Sequence, residues 1–208
     1  MRSAIATMAA FLSTFALALS GTATGAADPR YPDWPCTQAK VPDISLAAVW
    51  AGPALDDAET KWRDDAKISA LVSKLAARKT PLDEAEKSVK EFLAGFAADK
   101  TANAKLLFAG LFDTLNAQRS QVMNGLERVS RKQRDAADRI REETIQLQAL
   151  QDATPRDDTK VEALSNQLIW ETRIFEDRRK VVRFVCEVPT TIDQRLFALG
   201  RVIQQEME

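Results

Sequence analysis

Histidine is absent from all 208 residues, and the chain holds only two cysteines, seven glycines, eight prolines and one tyrosine. Without histidine, the commonest general base and the commonest metal ligand are both missing. Two cysteines are too few for a thiolate metal site or a disulfide framework. Scarce glycine and proline exclude collagen-like and low-complexity chains, and one tyrosine beside abundant alanine favours helices over a β-sandwich. Neither sign of charge dominates: 29 Lys+Arg against 30 Asp+Glu leave a formal net charge of −1. That balance supplies no general attraction to nucleic acid, so no nucleic-acid partner is expected.

What is present begins with an address. Met1-Arg2 is basic, Ala4 to Leu19 is apolar and uncharged, and Ser20 to Ala27 is a run of small residues before Asp28. A basic start, an apolar stretch and a small-residue zone form the pattern of a secretory signal peptide. Residues 1–26 are therefore read as a leader, cut after Ala26 or Ala27, with residues 27–208 exported to the periplasm or beyond as one all-α domain. The competing reading is a retained anchor, but the apolar run is shorter than the ~20 residues of a bilayer span and lacks a basic far flank. Cys36 and Cys186 both lie after the cut. In an oxidising compartment an even pair is expected to form one disulfide, and their spacing excludes a CxxC redox motif. Closing so long a loop contributes roughly 5 kcal/mol on the chain-entropy model.

Residues 28–57 hold Pro32, Pro35 and Pro42 and read as an extended arm with a short helix from Ser45 to Trp50. Residues 58–118 supply bundle helices. One, over about 58–78 and capped by Asp56-Asp57, carries Trp62, Ala66, Leu71 and Leu75. The next, over about 81–98 after Thr80-Pro81, carries Ala85, Val89, Phe92, Leu93 and Phe96. From Thr101 to Gln151 there is no proline. Leu107, Phe108, Leu111, Phe112 and Leu115 make a broad core face, after which Val122, Leu126, Val129, Gln133, Ala136 and Ile140 narrow to a heptad seam. A second seam runs through Val161, Leu164, Leu168, Phe175, Val182 and Val185. Two seams joined near Thr154-Pro155 predict an antiparallel coiled-coil hairpin over 119–186, protruding from the bundle at about 136–168. A last helix over 191–207 opens at Pro189-Thr190-Thr191, with capping-box spacing between Thr191 and Gln194. Trp170, Ile174 and Val181 form an extra stripe on the returning arm. It is expected to be covered by the helices at 58–78, 81–98 and 191–207.

Catalytic signatures are missing. No Ser-x-x-Lys, no Glu-Ser pair and no glycine-rich phosphate loop occurs after the leader. Asp56-Asp57 and Asp64-Asp65 lack calcium-loop spacing and read as caps or solvated surface. The protein is read as a non-enzyme without cofactor or metal, with an enzyme using carboxylates or lysine as the least favoured class. One charge feature stands out. Arg128, Arg131, Lys132 and Arg134 face Arg178, Arg179, Lys180 and Arg183 at similar heights across the hairpin, a candidate belt for anionic lipid or wall polymer. The rival reading is a solvated flank neutralised by Glu127, Asp135, Glu171, Glu176 and Asp177, and those partners favour it. The functional expectation is a scaffold, adaptor or assembly chaperone for an envelope protein, contacting its partner near the hairpin tip at Gln146, Gln151 and Arg156. A homo-oligomer is compatible with the pattern. Thiol labelling of the denatured, unreduced protein should find no free thiol, and two labelled cysteines in material from the oxidising compartment would refute the disulfide.

Overall fold

A chain rich in helix formers and poor in breakers folds here as helices. The computed structural model describes residues 28–96 and 99–207, so the expected leader lies outside them. Seven helices and no strand occur among the described residues. They are α1 (Leu46–Val49), α2 (Ala58–Lys61), α3 (Ala66–Ala76), α4 (Leu82–Ala94), α5 (Lys100–Asp152), α6 (Asp158–Val185) and α7 (Val188–Gln205). The all-α reading holds, and Cys36 is bonded to Cys186.

The core forms where the broad apolar face of α5 meets α3 and α7. Leu107, Phe108, Leu111 and Leu115 are closed in by Ile68, Val72 and Leu75 of α3 and by Leu196, Leu199 and Ile203 of α7, all of them buried. α4 adds Ala85, Val89 and Leu93 against α7. Trp50, just after α1, stacks on Phe108 with ring centroids 4.2 Å apart. Gly110 permits this closeness, since a Cβ there would lie 2.7 Å from Val72 and 2.9 Å from the Trp62 ring.

Several boundaries differ from the periodicity. The expected helix over 58–78 is broken into α2 and α3 around Trp62–Asp65. The Asp65 carboxylate accepts from the backbone amides of Lys67 (2.8 Å) and Ile68 (3.0 Å), which caps a new helix and leaves Trp62 turned into the core. A side-chain oxygen on two otherwise unpaired amides outweighs continuing the helix. α4 stops at Ala94 rather than 98, with Gly95 as its C-cap. The turn between α5 and α6 spans residues 153–157, and Asp157 is the cap itself, accepting from Lys160. α7 starts at Val188, so Thr191 sits inside the helix and donates to the Glu187 carbonyl instead of capping.

α5 is 53 residues long, about 80 Å at 1.5 Å per residue, so one helix serves both the core and the pair it makes with α6. α6 returns antiparallel along it. Gln133 donates to the Phe175 carbonyl (3.0 Å) and Gln167 to the Glu143 carboxylate (3.0 Å). Leu126, Ala136, Val161 and Leu168 are buried along this contact, and every residue from Gln151 to Lys160 is exposed.

Arg119 joins α5 to two other parts of the chain. Its side chain is 4% exposed and its Nε lies 2.7 Å from the Asp193 carboxylate of α7. Its Nη1 donates to the Pro42 carbonyl at 3.1 Å, holding the arm down. Burial raises the Asp193 pKa, against the pull of Arg119. Asp193 is partly solvated, whereas Arg119 is not, and the two partners should respond unequally to removal. Asp193→Ala leaves a buried cation unpaired and should cost about 3 kcal/mol or more. Arg119→Met fills nearly the same volume and leaves a partly exposed carboxylate, and with the lost bond to the Pro42 carbonyl its cost should be smaller, about 1–2 kcal/mol. Urea unfolding of both variants tests the asymmetry, and equal losses would contradict it.

Candidate functional site

The N-terminal arm straps one flank of the α5–α6 pair. Trp34 donates its indole N–H to the Gln38 carbonyl at 2.7 Å, and the Gln38 amide donates to the Cys186 carbonyl beside the disulfide. Lys40 pairs with Glu127 at 2.5 Å, both largely buried, and Lys40 also lies over the Tyr31 ring. Asp33 accepts from Arg131 (2.6 Å) and from Arg134, while Arg134 also donates to the Pro32 carbonyl (3.2 Å). The hydrogen bond from Arg131, then that from Arg134, holds the Asp33 carboxyl below the ordinary range.

The eight cations of the expected belt are therefore not one belt. Arg131 and Arg134 are engaged by the arm. Arg128 and Lys132 lie on the opposite flank of α5 and, with Arg178 of α6, border an open groove. Lys180 pairs with Asp177 at 3.1 Å. Arg179 and Arg183 point away from the groove and are exposed. Of the five carboxylates expected to neutralise the belt, Glu127 serves Lys40 and Glu171 accepts from Gln167, while Asp177 pairs with Lys180 as expected. Among the described residues no carboxylate lies within 4.0 Å of Arg128, Lys132 or Arg178.

The groove runs between the two helices and encloses about 820 Å³. Its walls are apolar, with Val122, Leu126 and Val129 from α5 and Ile174, Val181 and Val185 from α6. Beside it, the stripe of Trp170, Ile174 and Val181 is uncovered, contrary to expectation: Trp170 is 63% exposed and Val181 59%. The bundle helices that were to cover it bury their faces on α5 and α7 instead. Phe184, 78% exposed, extends the stripe. Spacing contained this signal, because 170, 174, 181 and 184 share one helical face, yet Phe184 was not grouped with the others. The tip residues Gln146, Gln151 and Arg156 are exposed, and Arg156 pairs with Asp158 at 2.8 Å. Exposed Ile145 is adjacent to Gln146, but nothing near the tip forms a comparable apolar surface.

The groove combines apolar walls with cationic edges. Among the described residues no group of three or more His, Cys, Asp or Glu converges as a metal site. Large apolar side chains beside unpaired cations suit docking of an amphipathic partner. No family model, curated protein or solved structure matches the chain.

The Asp33 contacts have a definite pH signature. A depressed carboxyl pKa contributes stability above the unfolded value of about 3.9 and loses it as pH falls through the folded value. Arm docking should thus weaken only below about pH 4. NMR titration of the Asp33 carboxyl should give a midpoint below that of an exposed aspartate, and Arg131→Gln with Arg134→Gln should return it to the ordinary range. An unshifted midpoint in the unsubstituted protein would remove the Asp33 contacts, leaving the disulfide and the Lys40–Glu127 pair to hold the arm.

Proposed function

We propose that this protein is an exported, non-enzymatic adaptor that holds an envelope protein partner on the open flank of its α5–α6 helix pair. The supporting observation is the uncovered apolar strip from Trp170 to Phe184 beside a groove bordered by unpaired cations. A monomeric soluble protein rarely leaves an aromatic-containing strip of this kind bare, and interface anchors are enriched in Trp and Arg. Export rests on the leader-like residues 1–26 and agrees with the joining of the only two cysteines. The groove is a stronger contact surface than the tip, where Gln146, Gln151 and Arg156 offer no hydrophobic anchor of similar size. The alternative of an anionic lipid or wall-polymer belt is weakened by the arm's engagement of Arg131 and Arg134, which divides the cations between two flanks.

A photoreactive residue placed at Val129 or Val181 in cells of origin should give one discrete protein adduct, and the same residue at Gln151 should not. Adducts with lipid or wall material alone, or a protein adduct from Gln151 only, would overturn the adaptor reading.

A further inference from the structure

We infer that the occupant of the groove is an amphipathic α-helix of the partner whose flanks are acidic, completing a local three-helix bundle; this rests on the adaptor reading. Shape gives the first reason. The groove is linear, and its walls repeat at three- and four-residue intervals, as Val122, Gly125 and Val129 on one side and Ile174, Arg178, Val181 and Val185 on the other. Such walls accept side chains that themselves recur at three and four residues, which is how a third helix packs on two. The apolar face from Trp170 to Phe184 runs about 21 Å, or four helical turns.

Gly125 gives the second reason. A Cβ at Gly200 would lie 2.9 Å from Phe108 and from the Val49 carbonyl, so that glycine, like Gly110, is required by the protein's own packing. At Gly125 an added Cβ would meet only the Arg128 guanidinium, at 3.8 Å. Glycine inside a helix is less favourable than alanine, and close approach by another backbone is one use that offsets this. The missing side chain opens a recess in the groove wall, and nothing among the described residues fills it.

Charge identifies the flanks. Arg128, Lys132 and Arg178 border the apolar floor without carboxylate partners, while Asp177 is already held by Lys180. Acidic residues beside the partner's apolar stripe would pair with these three cations. A second copy of this chain would bring the same cations against themselves, which disfavours it. A membrane surface would press the Asp177–Lys180 pair, which interrupts the stripe between Ile174 and Val181, into an apolar boundary where desolvating both charges is costly.

The test uses the full exported chain and two capped 18-residue synthetic helices. Both carry leucine at the heptad a and d positions; one has glutamate at e and g, the other lysine. Fluorescence anisotropy should show the glutamate peptide binding at least ten-fold tighter than the lysine peptide, with affinity falling as salt rises. Gly125→Leu should abolish binding. Gly125→Ala should weaken binding while leaving thermal stability equal or higher, which separates a filled recess from a misfolded protein. Lys132→Glu with Arg178→Glu should reverse the preference towards the lysine peptide. No binding, equal binding of the two peptides, insensitivity to Gly125→Leu, or Gly125-sensitive sedimentation with phosphatidylglycerol vesicles would each overturn the inference. A crosslinked partner lacking an acidic amphipathic helix would overturn it while leaving the adaptor reading in place. Peptide binding as expected, with no protein crosslinked in cells, would instead sink the adaptor reading and leave only the groove's selectivity for acidic amphipathic helices.

Discussion

Burial of Leu107, Phe108, Leu111 and Leu115 anchors the first third of α5, and because that helix continues unbroken to Asp152, the same anchoring sets the direction of everything beyond it. The bundle helices have no independent centre. α3 and α7 each close on α5, and α4 completes the layer by packing on α7. Once those faces are spent, none remains for α6, which has only α5 as an extended support. The bare strip on α6 follows from this allocation of apolar surface.

Three contacts then fix the base of the helix pair from outside. The disulfide ties the arm to the end of α6, Arg119 ties α5 to α7 and to the Pro42 carbonyl, and Asp33 gathers Arg131 and Arg134. Their energies are unlike. The disulfide acts largely by limiting the unfolded chain, the Arg119 pair trades desolvation against attraction, and the Asp33 pairs are solvent-screened. Together they confine the arm to one flank and leave the groove on the other. The asymmetry of the surface is therefore built by a segment without regular structure.

Long-range features were legible where local chemistry decides them. A proline-free run with helical spacing becomes one helix because nothing interrupts its hydrogen bonding, and the only two cysteines of the sequence have no other thiol in the chain to join. The break at Trp62–Asp65 was not legible, since the apolar spacing continues through it and only the Asp65 cap reveals the new start. Periodicity also reports which face is apolar without naming what covers it. The spacing marks Trp170, Ile174 and Val181 as surplus to the seam, yet the helices expected to cover them pack elsewhere. The eight cations clustered in sequence, yet successive positions on a helix point about 100° apart, so neighbours such as Arg131 and Lys132 reach opposite flanks.

The uninterrupted length of α5 also gives the molecule the mechanics of a lever. From Leu126, where the burial of the base ends, to Asp152, the helix extends about 39 Å. A tilt of about 5° at the base sweeps the far end through roughly 3 Å on that arm length. The groove lies close to the fulcrum, where the same tilt moves atoms least. Positional accuracy is therefore greatest where the apolar walls and unpaired cations are, and the outer end trades accuracy for reach.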